Sequence, residues 1–192
     1  RVQFLGKVLD LSTAKIFSHG ILNSLGVLAL RIAKSTKLTW SSTTRARPAM
    51  PAGHLTPPNT VGFTARPKIA HDLPTAQKLL ADAGFPGGQG FPQLEFLYNS
   101  TEANRLIAEA LQQMWHKGLG IDLTMQNQEA RVQSASMRAG DYQIGRYAWI
   151  GDFLDPSTFL ELMTGDSGNN LTRWRHADYD RIYAEANRTA DN

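Results

Sequence analysis

The chain has 192 residues, 42% of them apolar, which is enough to bury a substantial core and too apolar for a disordered tail. Its 20 Lys and Arg residues oppose 17 Asp and Glu for a formal charge of +3, and the bases are scattered, so the charge gives no footprint for nucleic acid. Cysteine is absent, which excludes disulfides, thiolate metal sites and cysteine nucleophiles together and leaves the compartment open.

Residues 1 to about 40 carry irregular apolar spacing (Val8, Leu9, Leu11, Ile16, Phe17, Leu22, Leu25, Leu28) and suit one or two helices ending near Lys37. The most apolar stretch, Ile21 to Ile32, contains Asn23, Ser24 and Gly26 and falls well short of the roughly 20 apolar residues of a membrane span. With no initiator Met before Arg1 and a last helix that runs on to Asp191-Asn192, both ends read as cut, and any targeting segment is expected upstream. From Ser41 to Pro67 the prolines at 48, 51, 57, 58 and 67 fix φ and remove amide donors, so an extended connector is expected there.

Asp72 is placed to cap a helix that tolerates Pro74 in its first turn, buries Ala76, Leu79, Leu80 and Ala83, and stops at Gly84. Phe85 to Pro92 reads as a compact glycine- and proline-rich loop. Leu94, Phe96 and Tyr98 then alternate with Glu95, Leu97 and Asn99, the two-residue period of a strand. Leu106, Ile107, Ala110, Leu111, Met114 and Trp115 recur at helical spacing until Gly118 and Gly120 break the helix, and Ile121, Leu123 and Met125 alternate again. A crossover of this length favours parallel pairing. A helix from about Gln128 to Ala139, stopped by Gly140, leads to a third strand expected over Tyr142 to Trp149. Asp155 followed by Pro156 opens the next helix, with Phe159, Leu160 and Met163 inward. After a loop from Thr164 to Thr172, a last helix from about Ala177 turns Tyr179, Ile182, Tyr183 and Ala186 inward. The order is β-α-β-α-β, an α/β pattern without internal repeats.

The chemistry concentrates where the third strand ends. In open α/β sheets ligands bind at the carboxyl ends of strands, where loops vary freely and helix amino termini point their amides outward. There Arg146, Tyr147, Trp149 and Asp152 stand within one short stretch. A guanidinium suits a carboxylate through a bidentate fork and a carboxylate suits an ammonium, so Arg146 and Asp152 together fit a zwitterion such as a short peptide. The competing reading pairs Arg146 with Asp152 or with neighbours, packs Trp149 in the core and uses Asp155 as a helix cap. On a strand, Arg146 and Ala148 would face one way and Tyr147 and Trp149 the other.

Catalysis lacks a constellation. Gly165-Asp166-Ser167-Gly168 has the look of a serine-protease nucleophile loop, yet Asn169-Asn170 follows and no matching motif surrounds His19, His54, His71, His116 or His176. The histidines show no ligand spacing, so neither a metal nor a cofactor is expected. Gly84 to Gly90 precedes a strand, the wrong order for a phosphate cradle.

Four segments, in order, carry a family resemblance. They are Leu55-Thr56-Pro57-Pro58-Asn59-Thr60 with Gly62-Phe63; Ala76 through Gly88 with Gly90-Phe91-Pro92; Ala108 through Trp115 with Leu119-Gly120-Ile121-Asp122; and Gly140-Asp141-Tyr142 through Trp149-Ile150-Gly151-Asp152-Phe153-Leu154-Asp155-Pro156, continued by Phe159-Leu160, Asn169-Asn170 and Tyr179-Asp180. Over about residues 45–192 the chain resembles the oligopeptide/dipeptide-binding family of ABC-transporter solute-binding proteins, extracellular solute-binding protein family 5. The resemblance implies a lobe of the periplasmic-binding-protein-like (type II) fold, part of a two-lobed protein that closes over an extended peptide and presents it to a membrane permease. It makes Asp152, in the family's Trp-x-x-Asp pattern, the holder of a peptide amino terminus, and Arg146 a partner for a peptide carboxylate.

The expectations that follow are a divergent helical segment over 1–45, an α/β lobe over 46–192, a non-enzymatic monomer, and a periplasmic or extracellular location with or without a lipid anchor. Partners are a peptide ligand and an ABC permease, with no nucleic acid. Nickel chelates, sugars and peptidoglycan fragments are alternative solutes within the same architecture, and a truncated lobe without function of its own is a further reading. Arg1-Val2 matches the family, but little in the first 40 residues after it does.

Overall fold

The computed structural model describes residues 55–57, 60, 63 and 72–189. The helices expected before Lys37 and most of the proline-rich connector lie outside the described residues. Residues 72–148 gather into one compact unit and residues 149–189 belong to a second.

In the first unit, α1 (Leu73–Asp82) begins where the Asp72 carboxylate accepts the Thr75 amide at 3.0 Å, with Pro74 in the first turn. Ala76 and Leu80 are fully buried, whereas Ala83 lies past the helix end and is exposed. A 3-10 turn (Pro86–Gly88) follows and leads into β1 (Leu94–Asn99). α2 (Glu102–Leu119) is capped by Thr101 and ends on Gly120 in the left-handed region, φ 67°. Gly118 does not break this helix as expected. It lies inside the last turn, where a Cβ would press on the Leu73 side chain and where its carbonyl accepts Gln77 Nε2 at 2.8 Å. Its lack of a side chain lets α1 approach α2. The real break needs glycine twice over: a side chain on Gly88 would overlap the Gly120 carbonyl, and one on Gly120 would overlap that of Gly87.

β2 (Leu123–Gln128) pairs parallel with β1, from Leu94 opposite Leu123 to Asn99 opposite Gln128. α3 (Ala130–Ala139) returns the chain to β3, and the sheet order is β2-β1-β3, all parallel. β1 is therefore central. Leu94, Phe96, Leu97 and Tyr98 are all buried, so Leu97, expected on the polar side of an alternating strand, is core instead. Successive strand residues point to opposite faces, and a central parallel strand is covered on both. Ala108 and Leu111 of α2 pack on Phe96 and Tyr98, together with Met125 and Ile144.

β3 is much shorter than the strand expected over Tyr142 to Trp149: only Ile144–Gly145 form ladder pairs, opposite Phe96 and Leu97. One further bond, Arg146 N–H to the Leu97 carbonyl at 2.8 Å, continues the pairing before the backbone departs. The alternating-face argument for residues 146–149 therefore has no strand to rest on.

In the second unit, α4 (Ser157–Leu160) runs into a 3-10 turn (Glu161–Met163), and α5 (Ala177–Arg188) closes the described chain. Leu160, Trp174 and Tyr179 form the core, flanked by Met163, Ile182 and Tyr183, with the Trp174 and Tyr179 rings edge to face at 5.3 Å. Ala186, expected inward, is exposed because α5 packs only along its first two turns. Among the described residues no helix is long and apolar enough to cross a membrane.

Candidate ligand-binding site

The sheet of the first unit delivers Arg146 with its backbone held on both sides. Its amide donates to Leu97 of the central strand, and its carbonyl accepts Gln133 Nε2 from α3 at 2.6 Å. The side chain is half-buried, and desolvation lowers its pKa from the ordinary arginine value. No ion pair involves it among the described residues. The guanidinium is thus partly desolvated and without a counter-charge among the described residues. Tyr147 follows and is exposed.

Trp149 and Asp152 belong to the second unit. The Trp149 indole N–H is buried and finds no acceptor. Asp152 is exposed, its carboxylate forms no ion pair or hydrogen bond among the described residues, and its backbone amide donates to Thr158 Oγ1 at 3.0 Å. Gly151 beside it is closely packed: a Cβ would stand 2.9 Å from the Phe159 ring and 3.0 Å from the Thr158 methyl, so those side chains would have to shift. The stretch therefore lies flat on α4.

That short helix is tied down in turn. Asp155 does what was expected of it, accepting the Ser157 amide on its carboxylate at 2.8 Å, although Pro156 and not Asp155 is the residue at the helix boundary. The buried Tyr179 hydroxyl donates to the Leu160 carbonyl at 2.6 Å, and Tyr183 reaches the Ser157 carbonyl at 3.4 Å. Burial raises the Tyr179 pKa well above the ordinary phenol value. A chain of hydrogen bonds thus runs from α5 through α4 to the backbone of Asp152. Thr158, Gly151 and Tyr179 were not singled out in the sequence as site-forming; only the Asp-Pro helix start hinted that residue 158 would lie one turn on, above the preceding loop.

The four residues are thus carried by two different units: Arg146 and Tyr147 by the first, Trp149 and Asp152 by the second. The Gly165–Gly168 loop holds no catalytic geometry. Gly165 donates its amide to Asp180 at 2.9 Å and Ser167 Oγ accepts the Asn169 amide at 3.2 Å, while His116 faces Asp122 and His176 caps α5. Among the described residues no cluster of His, Asp and Glu could hold a metal ion.

A parallel sheet with helices between its strands is the architecture of a periplasmic-binding-protein-like lobe, and the comparisons agree on the fold. Residues 43–171 match the family of bacterial extracellular solute-binding proteins, family 5, middle region, and the chain belongs to that family. It is 38% identical over 142 residues to the periplasmic murein peptide-binding protein MppA of Escherichia coli, covering 71% of this chain and 26% of the relative. The solved unliganded open form of MppA superposes with a TM-score of 0.65 at 37% identity, covering 71% of this chain and 28% of that one. The oligopeptide-binding protein OppA of Bacillus subtilis is 35% identical over 150 residues, 74% of this chain and 28% of its own. Haemophilus influenzae OppA, solved in complex with the peptide RPPGFSPFR, matches with a TM-score of 0.59 at 30% identity over 62% of this chain and 23% of its own. The chain thus spans about a quarter of the length of these relatives.

Proposed function

We propose that the chain is a lobe of the peptide-capturing component of an ABC importer, working outside the cytoplasmic membrane without catalysis and handing its ligand to a permease. Residues 46–192 would form this lobe, with residues 1–45 as a divergent extension. Asp152 would hold the ligand's ammonium, Arg146 its carboxylate, and Tyr147 and Trp149 would contact the chain between. The observation that carries the reading is the exposed Asp152, whose backbone amide is held by Thr158 and whose carboxylate has no partner among the described residues. A carboxylate positioned so and unpaired suits an incoming cation. The relatives' names point the same way, to oligopeptides and to a murein peptide.

The murein peptide is the second reading, favoured by the similarity to MppA; it is a peptidoglycan fragment that shares a free ammonium with ordinary peptides. Isothermal calorimetry on the two-lobed protein carrying this chain, with tri- and tetrapeptides bearing free or acetylated amino termini, tests the reading. Binding lost on acetylation, and lost by about 2–5 kcal/mol in Asp152→Asn, is the expected result. Equal affinity for both peptide forms would refute the ammonium role.

A further inference from the structure

Large apolar side chains rarely stand in water side by side, yet Ile150, Phe153 and Leu154 are 88%, 54% and 84% exposed. They bracket Asp152, itself exposed and unpaired. The other exposed large hydrophobics among the described residues, Leu55, Val132 and Tyr147, are all less exposed than Ile150 and Leu154. The concentration at one short segment marks a binding surface, not the random scatter of a soluble protein.

What covers the surface must satisfy both of its characters. A purely apolar cover from elsewhere in the polypeptide would bury the Asp152 carboxylate without a counter-charge, which is costly. A purely cationic cover would leave the three side chains in water. One ligand class brings both at once: a primary amine whose ammonium shares a carbon with a bulky apolar group. The α-ammonium and first side chain of a peptide have that geometry. Gly151 packs close against Phe159 and Thr158, while Ile150 and Asp152 on either side of it are exposed.

We infer that Ile150, Phe153 and Leu154 form an apolar collar around the ammonium site and select ligands with a large apolar side chain at or next to the amino terminus. This rests on the ammonium role proposed for Asp152 and goes beyond it by naming the ligand class. The collar disfavours charged or strongly polar side chains at that position, which would lose hydration without gaining a partner.

The test uses the complete two-lobed protein and three tripeptides, Leu-Ala-Ala, Ala-Ala-Ala and Lys-Ala-Ala, each titrated calorimetrically into wild type, an Ile150→Ser/Leu154→Ser double variant and Asp152→Asn. Both serine positions are exposed, so the fold should tolerate them, and a thermal melt checks this. The expected result is a preference of at least tenfold for Leu over Lys in wild type, reduced to threefold or less in the double variant. In Asp152→Asn all three peptides should weaken while the Leu-to-Lys ratio survives. A wild-type ratio near one, or a ratio unchanged in the double variant, overturns the collar while leaving the ammonium role standing. A double variant that melts much earlier and loses all three peptides equally also overturns it, and identifies the patch as a surface covered by the rest of the protein. If no peptide binds wild type, the underlying reading falls and the collar with it.

Discussion

Thr158→Val isolates the step by which the fold aims its carboxylate. Thr158 is fully buried at 0% exposure, and its hydroxyl accepts the Asp152 amide at 3.0 Å. Valine keeps the branched shape and fills the same space, so no cavity opens and only the acceptor is lost. A neutral hydrogen bond contributes about 1 kcal/mol net, and because Asp152 is exposed its freed amide can turn to water. The expected loss of folding stability is therefore small, about 0.5–1.5 kcal/mol. The larger effect falls on binding, since a loop no longer pinned to α4 must be ordered again whenever an ammonium is held. If that re-ordering consumes about 1 kcal/mol, free-amino peptides weaken roughly fivefold. Denaturant unfolding gives the first quantity and calorimetry the second. Acetylated peptides serve as the control, because they do not use the carboxylate and should bind both proteins alike. Thr158→Ser, which retains the acceptor, should restore the preference for a free amino terminus. An equal loss for free and acetylated peptides, or a serine variant as weak as valine, would refute the positioning argument.

Three further outcomes follow from the same geometry. Tyr179→Phe removes the donor to the buried Leu160 carbonyl and should cost about 1–3 kcal/mol of unfolding free energy in urea. Because burial raises the Tyr179 pKa above its unfolded value of about 10, its contribution is complete below that pH and declines as pH rises above it. Wild type should therefore lose more stability between neutral pH and pH 11 than Tyr179→Phe, and parallel pH profiles would contradict the sign. Gly120→Ala places a side chain at φ 67° and against the Gly87 carbonyl; a loss well above the 1–2 kcal/mol of left-handed strain alone is expected from thermal unfolding. Arg146→Met, which removes a half-buried unpaired charge, should leave stability unchanged or slightly higher while erasing any preference for a free over an amidated peptide carboxyl terminus in calorimetry.

The elements of the first unit were legible because each is written in a local code. Asp72 with Pro74, Gly120 after the long apolar-periodic helix, and Gly140 after α3 specify ends through capping chemistry, and the structure places those ends within a residue or two. Three features were not legible, each for a non-local reason. Leu97 is buried because β1 is central, which depends on strand order and not on the strand's own pattern. Gly118 is accommodated inside a helix because Leu73, far away in sequence, needs the space. β3 stops after Gly145 because the chain leaves the sheet, although Tyr142 to Trp149 has the composition of a longer strand. The site residues were named from their chemistry at a strand end. What composition could not reveal was that both Arg146 and Asp152 would be held through their backbones, with side chains unpaired among the described residues.

The two charges are fixed alike through the main chain and differ in burial. Arg146 is held by its backbone, with Leu97 fixing its amide and Gln133 its carbonyl, while its charge is partly desolvated and unanswered. Asp152 is also held only by its backbone, through Thr158, and its charge is fully available to solvent. In neither case does the protein use the side chain for its own stability, and in the case of Arg146 it tolerates a desolvation cost to keep it free. In this they differ from Arg105, bracketed by Glu102 and Glu109, from Arg181, bracketed by Asp178 and Glu185, and from Lys78, paired with Asp82. On the reading proposed above, each is kept for a ligand's opposite charge, Asp152 for an ammonium and Arg146 for a carboxylate.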